Sequence, residues 1–178
     1  TEIEPNLVSI DAVDPVLKEA STSEGIMLHS SMMTDLIQMI ADSRSANMGL
    51  YISSGYRSFD DQIKALLRLG GDETVATLPG QSQHHTGLAI DFTSDEIEMT
   101  VGMNQGFETS EAGIWLAENG WKYGFVQSYT KNHDGVQNEP WHYYYVGKTY
   151  ARIWHDSQMT DHPRDIFEIL NQINSPEG

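Results

Sequence analysis

Two stretches of the chain bring together residue types that bind metals. In QSQHHTGLAIDF, positions 81–92, two adjacent histidines, His84 and His85, precede an apolar run that carries one acid, Asp91. In EPWH, positions 139–142, Glu139 and His142 stand three apart with Pro140 and Trp141 between them. With seven histidines and no cysteine, the chain can build a zinc site only from imidazole and carboxylate. A catalytic zinc commonly takes three such protein ligands and keeps one position open for water. Asp91 demands an explanation, because a carboxylate inside a strand-like apolar run costs several kcal/mol unless it is paired or metal-bound. If the chain is extended at EPWH, Glu139 and His142 face opposite sides, so a shared site needs a bend, which Pro140 can help impose. That spacing suits one group on the metal and another reaching its water.

Plainer readings stand beside these. A histidine next to aromatic residues is more often a hydrogen-bonded core or surface residue than a ligand, and Arg57 could simply pair with one of many acids. Composition alone leaves His84 and His85 as rivals; on an extended segment adjacent side chains point to opposite faces, so one ion takes only one of them. Neither HExxH nor its inverse occurs, and GxSxG and Walker-type loops are missing too.

Helices and short strands must position these residues. From Ser30 the apolar residues Met33, Leu36, Ile37 and Ile40 recur at helical spacing, with Ser30 or Ser31 available as a cap. The methionines at 27, 32, 33, 39 and 48 read as core filler. GLYISS reads as a buried strand, GYRS as the turn out of it, and Ser58 with Asp61 as the capped start of a helix running to about Leu69. GGDETVATLPGQSQ is a Gly-rich loop delivering the chain to His84, and GLAIDF is a second buried strand. Thr109 or Ser110 caps the helix EAGIWLAEN, with Gly120 at its carboxyl end. WKYGFVQSY is a strand, TKNHDGVQN a polar loop, and EPWHYYYVG an aromatic strand; a closing helix starts near Pro163 and covers DIFEILNQI. Helices and strands without regular alternation predict an α+β fold, a small antiparallel sheet flanked by helices. Residues 1–25, with acids, prolines and the tract STSEG, read as an extended lead-in or linker, leaving 26–178 as the domain.

A length of 178 residues suits one domain able to bury roughly two-thirds of its unfolded surface. Twenty-six acids against ten bases, a net charge of -16, argue against nucleic acid or an anionic membrane as partner. Without cysteine there is no thiolate nucleophile and no disulfide, which permits an extracytoplasmic home. No apolar run approaches the roughly 20 residues of a membrane span, and TEIEPNLVSI lacks the basic start of a signal peptide. A chain that begins at Thr1 reads as processed or trimmed, which leaves room for a targeting segment upstream. Nothing demands an oligomer, so a monomer is expected.

Four blocks, SGYRS (54–58) with Gln62, SQHHTGLAID (82–91), WLAENGWKYGF (115–125) and EPWHYYYVG (139–147), together resemble the zinc D,D- and L,D-carboxypeptidases of the VanY, VanX and VanXY type, which trim peptidoglycan stem peptides. The family pattern Ser-x-His-x-x-Gly-x-Ala-x-Asp falls on Ser82, His84, Gly87, Ala89 and Asp91, and alignment on Gly87 selects His84 over His85. The resemblance implies a D,D-peptidase-like fold with zinc on His84, Asp91 and His142. It implies Glu139 as the general base toward the metal's water, Arg57 as the charge that stabilises the oxyanion, and Ser82 and Gln62 as binders of the terminal carboxylate. The chain departs from the pattern after YGF, where many relatives carry an Arg-Tyr pair and this one has Ser128 and Tyr129; Tyr129 remains a candidate substrate contact. His85 is expected near the rim, His133 in a solvent-exposed loop, and His29, His155 and His162 in structural roles.

The implied function is removal of a terminal D-alanine from peptidoglycan peptides. A cell-wall endopeptidase using the same zinc constellation, or a zinc-bearing binding domain without catalysis, are the alternatives; a general base such as Glu139 has no use in the last.

Overall fold

The structure is a computed structural model that describes residues 5–68, 70, 78–95, 97, 106–130 and 138–174. Four strands, β3 (Leu50–Ser54), β4 (Ala89–Ser94), β5 (Phe125–Gln127) and β6 (His142–Tyr145), form an antiparallel sheet in the order β3-β4-β6-β5. A smaller sheet pairs β1 (Leu7–Ser9) with β2 (Met27–His29). Seven α-helices among the described residues surround them: α1 (Ile10–Val13), α2 (Pro15–Glu19), α3 (Met33–Ser45), α4 (Phe59–Arg68), α5 (Glu111–Asn119), α6 (Gly147–Gln158) and α7 (Ile166–Asn174). The α+β class and the small antiparallel sheet flanked by helices agree with the sequence expectation.

Strand β4 is an inner strand, which explains why GLAIDF reads as a nearly continuous apolar run. Ala89, Ile90 and Phe92 are fully buried, and Phe92 packs edge-on against Tyr143 (5.8 Å between centroids) and Phe125 (6.4 Å). Helix α3 turns Met33, Leu36 and Ile40 into this core with Ile37 packed at its edge, as the periodicity predicts. Its entry differs: a short 3-10 helix, Ser30–Met32, comes first, and the His29 ring, rather than Ser30 or Ser31, accepts the Ser31 N–H at 3.2 Å. Ser58 caps α4 by accepting the Asp61 N–H at 3.2 Å, and Ser110 caps α5 by accepting the Gly113 N–H at 3.1 Å.

Two elements correct the sequence reading. Gly120 stands at the carboxyl end of α5, as expected, at φ -52°; the chain then continues as a 3-10 helix to Tyr123 before Gly124, at φ 93°, breaks it. WKYGFVQSY is therefore a strand only over Phe125–Gln127. Helix α6 covers GKTYARIWHDSQ, a stretch with no capping side chain to announce it, and packs Ala151 with Val126, Ile166 and Ile169 in a second small core. Helix α7 starts after Pro163, with Asp165 accepting the Glu168 N–H at 2.8 Å.

The segment read as an extended lead-in also differs. Asp14 caps α2 through the Val16 N–H (2.8 Å) with Pro15 in the first turn, and Ile10, Leu17 and Ala20 are fully buried in the main core. The Ala20 carbonyl accepts the Ile52 N–H at 2.7 Å, tying this segment to β3. No helix among the described residues is long and apolar enough to cross a membrane. Leu17→Ala is expected to lower the unfolding free energy by about 2–5 kcal/mol, the cost of a core truncation, as read by urea denaturation. A loss under about 0.5 kcal/mol, the size of a surface substitution, would show that the segment is dispensable to the fold.

Candidate metal and catalytic site

The pairing of β4 with β6 sets Asp91 directly opposite His142. On the other side of β4, a bulge between Ile52 and Ser54 shifts the register of β3 so that Ser54 faces Asp91. His84 comes from a 3-10 helix, Gln83–Thr86, that immediately precedes β4. Ser82 starts that turn by accepting the His84 N–H at 3.3 Å, and Gly87 ends it at φ 71°. The positive φ of Gly87 strains any side chain there, and a Cβ, 2.6 Å from Leu7 Cδ2, would also push the Leu7 side chain aside. Gly55, just past β3, passes so near β2 that a Cβ would lie 2.6 Å from the Met27 carbonyl oxygen. Its own carbonyl accepts the His84 Nδ1–H at 2.6 Å.

One donor atom from each of His84, Asp91 and His142 lies within 4.8 Å of the others. Because Gly55 occupies His84 Nδ1, Nε2 faces the carboxylate, 3.3 Å from Asp91 Oδ2. His142 Nδ1 lies 3.0 Å from Asp91 Oδ1, while its Nε2 meets the side-chain oxygen of Gln83 at 2.8 Å. With hydrogens on the outward nitrogens, both neutral rings would aim lone pairs at an acid that is itself only an acceptor when ionised. Three acceptors so arranged would call for a cation between them. Burial pushes the Asp91 carboxyl up, but His84 and His142 together hold it well below the usual carboxylate range. Burial also lowers the pKa of His142, against the pull of Asp91, and so favours the neutral imidazole that a metal requires. Two imidazoles and one carboxylate match the donor set of a catalytic zinc, so the residues fit that ion.

Pro140 stands in the expected bend. The Glu139 carbonyl accepts the His142 N–H at 3.1 Å and the Glu139 N–H donates to the Tyr129 carbonyl at 3.0 Å, which brings Glu139 Oε2 to 3.8 Å from His142 Nδ1. Burial first, then the Asp91 carboxylate, push the Glu139 pKa up to about 8, partly opposed by Arg57. Arg57 Nη2 lies 3.9 Å from Asp91 Oδ2, and Nη1 donates to Gln62 Oε1 at 2.9 Å. Gln62 is only 1% exposed and braces Arg57 directly, while Ser82 caps the turn that carries His84. Tyr129 stacks on the His142 ring at 4.7 Å and on Phe167 at 6.4 Å; burial, then Glu139 and Asp91, raise its pKa to about 12.

His85 lies outside this group. Its Nδ1 donates to the Arg57 carbonyl at 2.7 Å, its Nε2 accepts the Gly80 N–H at 3.1 Å, and its ring stacks on Phe59 at 6.2 Å. His29 sits at the entry to α3 and His155 stacks on Trp121 at 4.0 Å. His133 and half of GGDETVATLPGQSQ, residues 71–77, lie outside the described residues. Gln83 escaped the sequence reading. It occupies the unspecified position between Ser82 and His84, and only the fold reveals that its amide reaches His142 and Ser128.

A model of the VanY family, described as D-alanyl-D-alanine carboxypeptidase, matches residues 25–148. The putative carboxypeptidase YodJ of Bacillus subtilis (strain 168) is 37% identical over 130 residues, which cover 67% of this chain and 46% of that protein. The chain thus spans less than half the length of that relative. Among solved structures, the LdcB LD-carboxypeptidase superposes with a TM-score of 0.75 at 30% identity, covering 94% of this chain and 79% of the other. The vancomycin resistance D,D-pentapeptidase VanY, solved in complex with Zn(II), gives 0.65 at 28% identity, covering 85% and 88%. With the family model covering most of the chain, the protein belongs to the VanY family of D-alanyl-D-alanine carboxypeptidases.

Proposed function

We propose that the protein is a zinc-dependent carboxypeptidase that removes a C-terminal D-alanine from peptidoglycan stem peptides or their precursors. The observation that carries this reading is the convergence of His84, Asp91 and His142 beside Glu139 and Arg57 in a chain of the VanY family. His84 through Nε2, Asp91 through its carboxylate and His142 through Nδ1 would hold the ion. When bound, zinc supplies a Lewis acid that polarises the scissile carbonyl and lowers the pKa of a water toward about 7.

This chain's own residues do the rest. Glu139 takes the proton of the attacking water and returns it to the leaving amine. A carboxyl whose proton affinity burial raises is, once ionised, a stronger base than an exposed glutamate. Arg57 carries a fixed positive charge for the oxyanion that forms at the cleaved carbonyl, and Gln62 holds its guanidinium in place. Ser82 keeps its hydroxyl hydrogen to donate and is the candidate for the terminal carboxylate. Tyr129 stays a neutral phenol over the working pH range and walls the site on the His142 side. All these residues come from one chain, which suits a monomer, and a wall substrate would put the enzyme outside the cytoplasmic membrane.

Neighbours named LD-carboxypeptidase and D,D-pentapeptidase share the fold, so the test presents both kinds of terminus. Zinc-loaded protein is incubated with synthetic stem peptides ending in D-alanyl-D-alanine or in a single D-alanine, and the products are weighed by mass spectrometry. Loss of one terminal alanine is expected, and Glu139→Ala should slow it by about 10²-fold or more while zinc is retained. Cleavage at an internal bond, or a Glu139→Ala variant as active as the parent, would overturn the reading.

Glu139 also makes the stability of the metal-free protein depend on pH. Between its ordinary pKa of 4.5 and its folded value of about 8, the folded state keeps a proton that the unfolded state has lost. Its contribution therefore falls as pH rises through that window. In the presence of a chelator, Glu139→Gln should gain roughly 2–4 kcal/mol on the parent between pH 5 and pH 8, measured by urea unfolding. A difference that stays constant across that range contradicts the burial of this carboxyl.

A further inference from the structure

We propose that Gln83 is a positioning residue that sets the tautomer of His142, holding the hydrogen on Nε2 so that the Nδ1 lone pair is ready for the ion. The inference rests on the reading of His84, Asp91 and His142 as a metal site and deepens it. Gln83 is 8% exposed, and its Oε1 lies 2.8 Å from His142 Nε2 and 2.7 Å from the Oγ of Ser128, itself buried. Its amide nitrogen is buried and has no hydrogen-bond partner among the described residues. An amide oriented this way is held for its oxygen, at the cost of an unsatisfied N–H pair.

The consequence follows from the two nitrogens of one ring. A neutral imidazole carries one hydrogen, and the bond made by one nitrogen decides what the other can do. Left to itself beside an ionised Asp91, His142 would donate from Nδ1 to the carboxylate oxygen 3.0 Å away and turn its lone pair outward. That tautomer is self-satisfied and binds no metal at Nδ1. An acceptor on Nε2 counters that preference, keeping a hydrogen there when an ion takes the Nδ1 lone pair. Gln83 does for His142 what the Gly55 carbonyl does for His84, and Ser128 donates its hydroxyl hydrogen to the same amide oxygen, holding it in place. The two histidines are thus prepared by opposite nitrogens, His84 for Nε2 and His142 for Nδ1. Outer partners of this kind are commonly worth about 10- to 100-fold in metal affinity.

The test measures zinc affinity by competition with a chromophoric chelator and reads the His142 tautomer from ring nitrogen shifts and couplings in the metal-free protein by NMR. In the unsubstituted protein the Nε2–H tautomer is expected; finding Nδ1–H there overturns the proposal without any variant. Gln83→Leu should weaken zinc binding about 10- to 100-fold and shift His142 toward Nδ1–H. Gln83→Glu, which keeps an acceptor oxygen on Nε2, should restore both. Zinc affinity unchanged within twofold in Gln83→Leu, with the tautomer unmoved, overturns the role of Gln83 while leaving the metal site standing. An unsubstituted protein that takes up no stoichiometric zinc overturns the metal reading itself, and this proposal with it.

Discussion

Asp91 faces His142 across two paired strands, and the rest of the site is built around that register. A slip of one residue between β4 and β6 would leave the two side chains on opposite faces of the sheet. The fold resists such a slip because Ile90 and Phe92, the neighbours of Asp91 on β4, are buried among the aromatic residues of β5 and β6. The hydrophobic core thus fixes the position of a polar group that it could not itself tolerate alone. One carboxylate on an inner strand becomes affordable to the fold because two imidazoles and an arginine converge on it.

That convergence governs the electrostatics in turn. Asp91 is held ionised by the histidines; its charge then helps burial to keep Glu139 protonated up to about pH 8, while Arg57 moderates the effect. Two acids far apart in sequence are thereby driven to different proton affinities in the metal-free protein. Tyr129 closes the site from the side of α7 by stacking between His142 and Phe167, so the small second core of β5, α6 and α7 supports the chemistry indirectly.

Much of this was legible in the chain itself. The buried acid of GLAIDF, the bend at Pro140 and the capped start of α4 all follow from local rules, and the structure contains each of them. The choice between His84 and His85 was not legible from composition; it depends on which ring the Gly55 carbonyl can reach, a contact across 29 residues of sequence. Helix α6 was missed because Val146 offers no side-chain cap. The N-terminal segment misled for another reason. Its acids and prolines look like a linker, yet Ile10, Leu17 and Ala20 find partners that lie far along the chain. Gln83 was invisible for the same cause, since a glutamine next to a histidine says nothing until the strand bearing His142 is laid beside it.

The central claim is that the inward-facing acceptors of His84, Asp91 and His142 hold one zinc ion. The most direct measurement is a crystal structure of the zinc-loaded protein with anomalous difference maps on both sides of the zinc absorption edge. The account predicts a single ion bonded by His84 Nε2, an Asp91 carboxylate oxygen and His142 Nδ1 at about 2.0–2.2 Å. An ion held by His85, or no ordered ion among these three side chains, would contradict it.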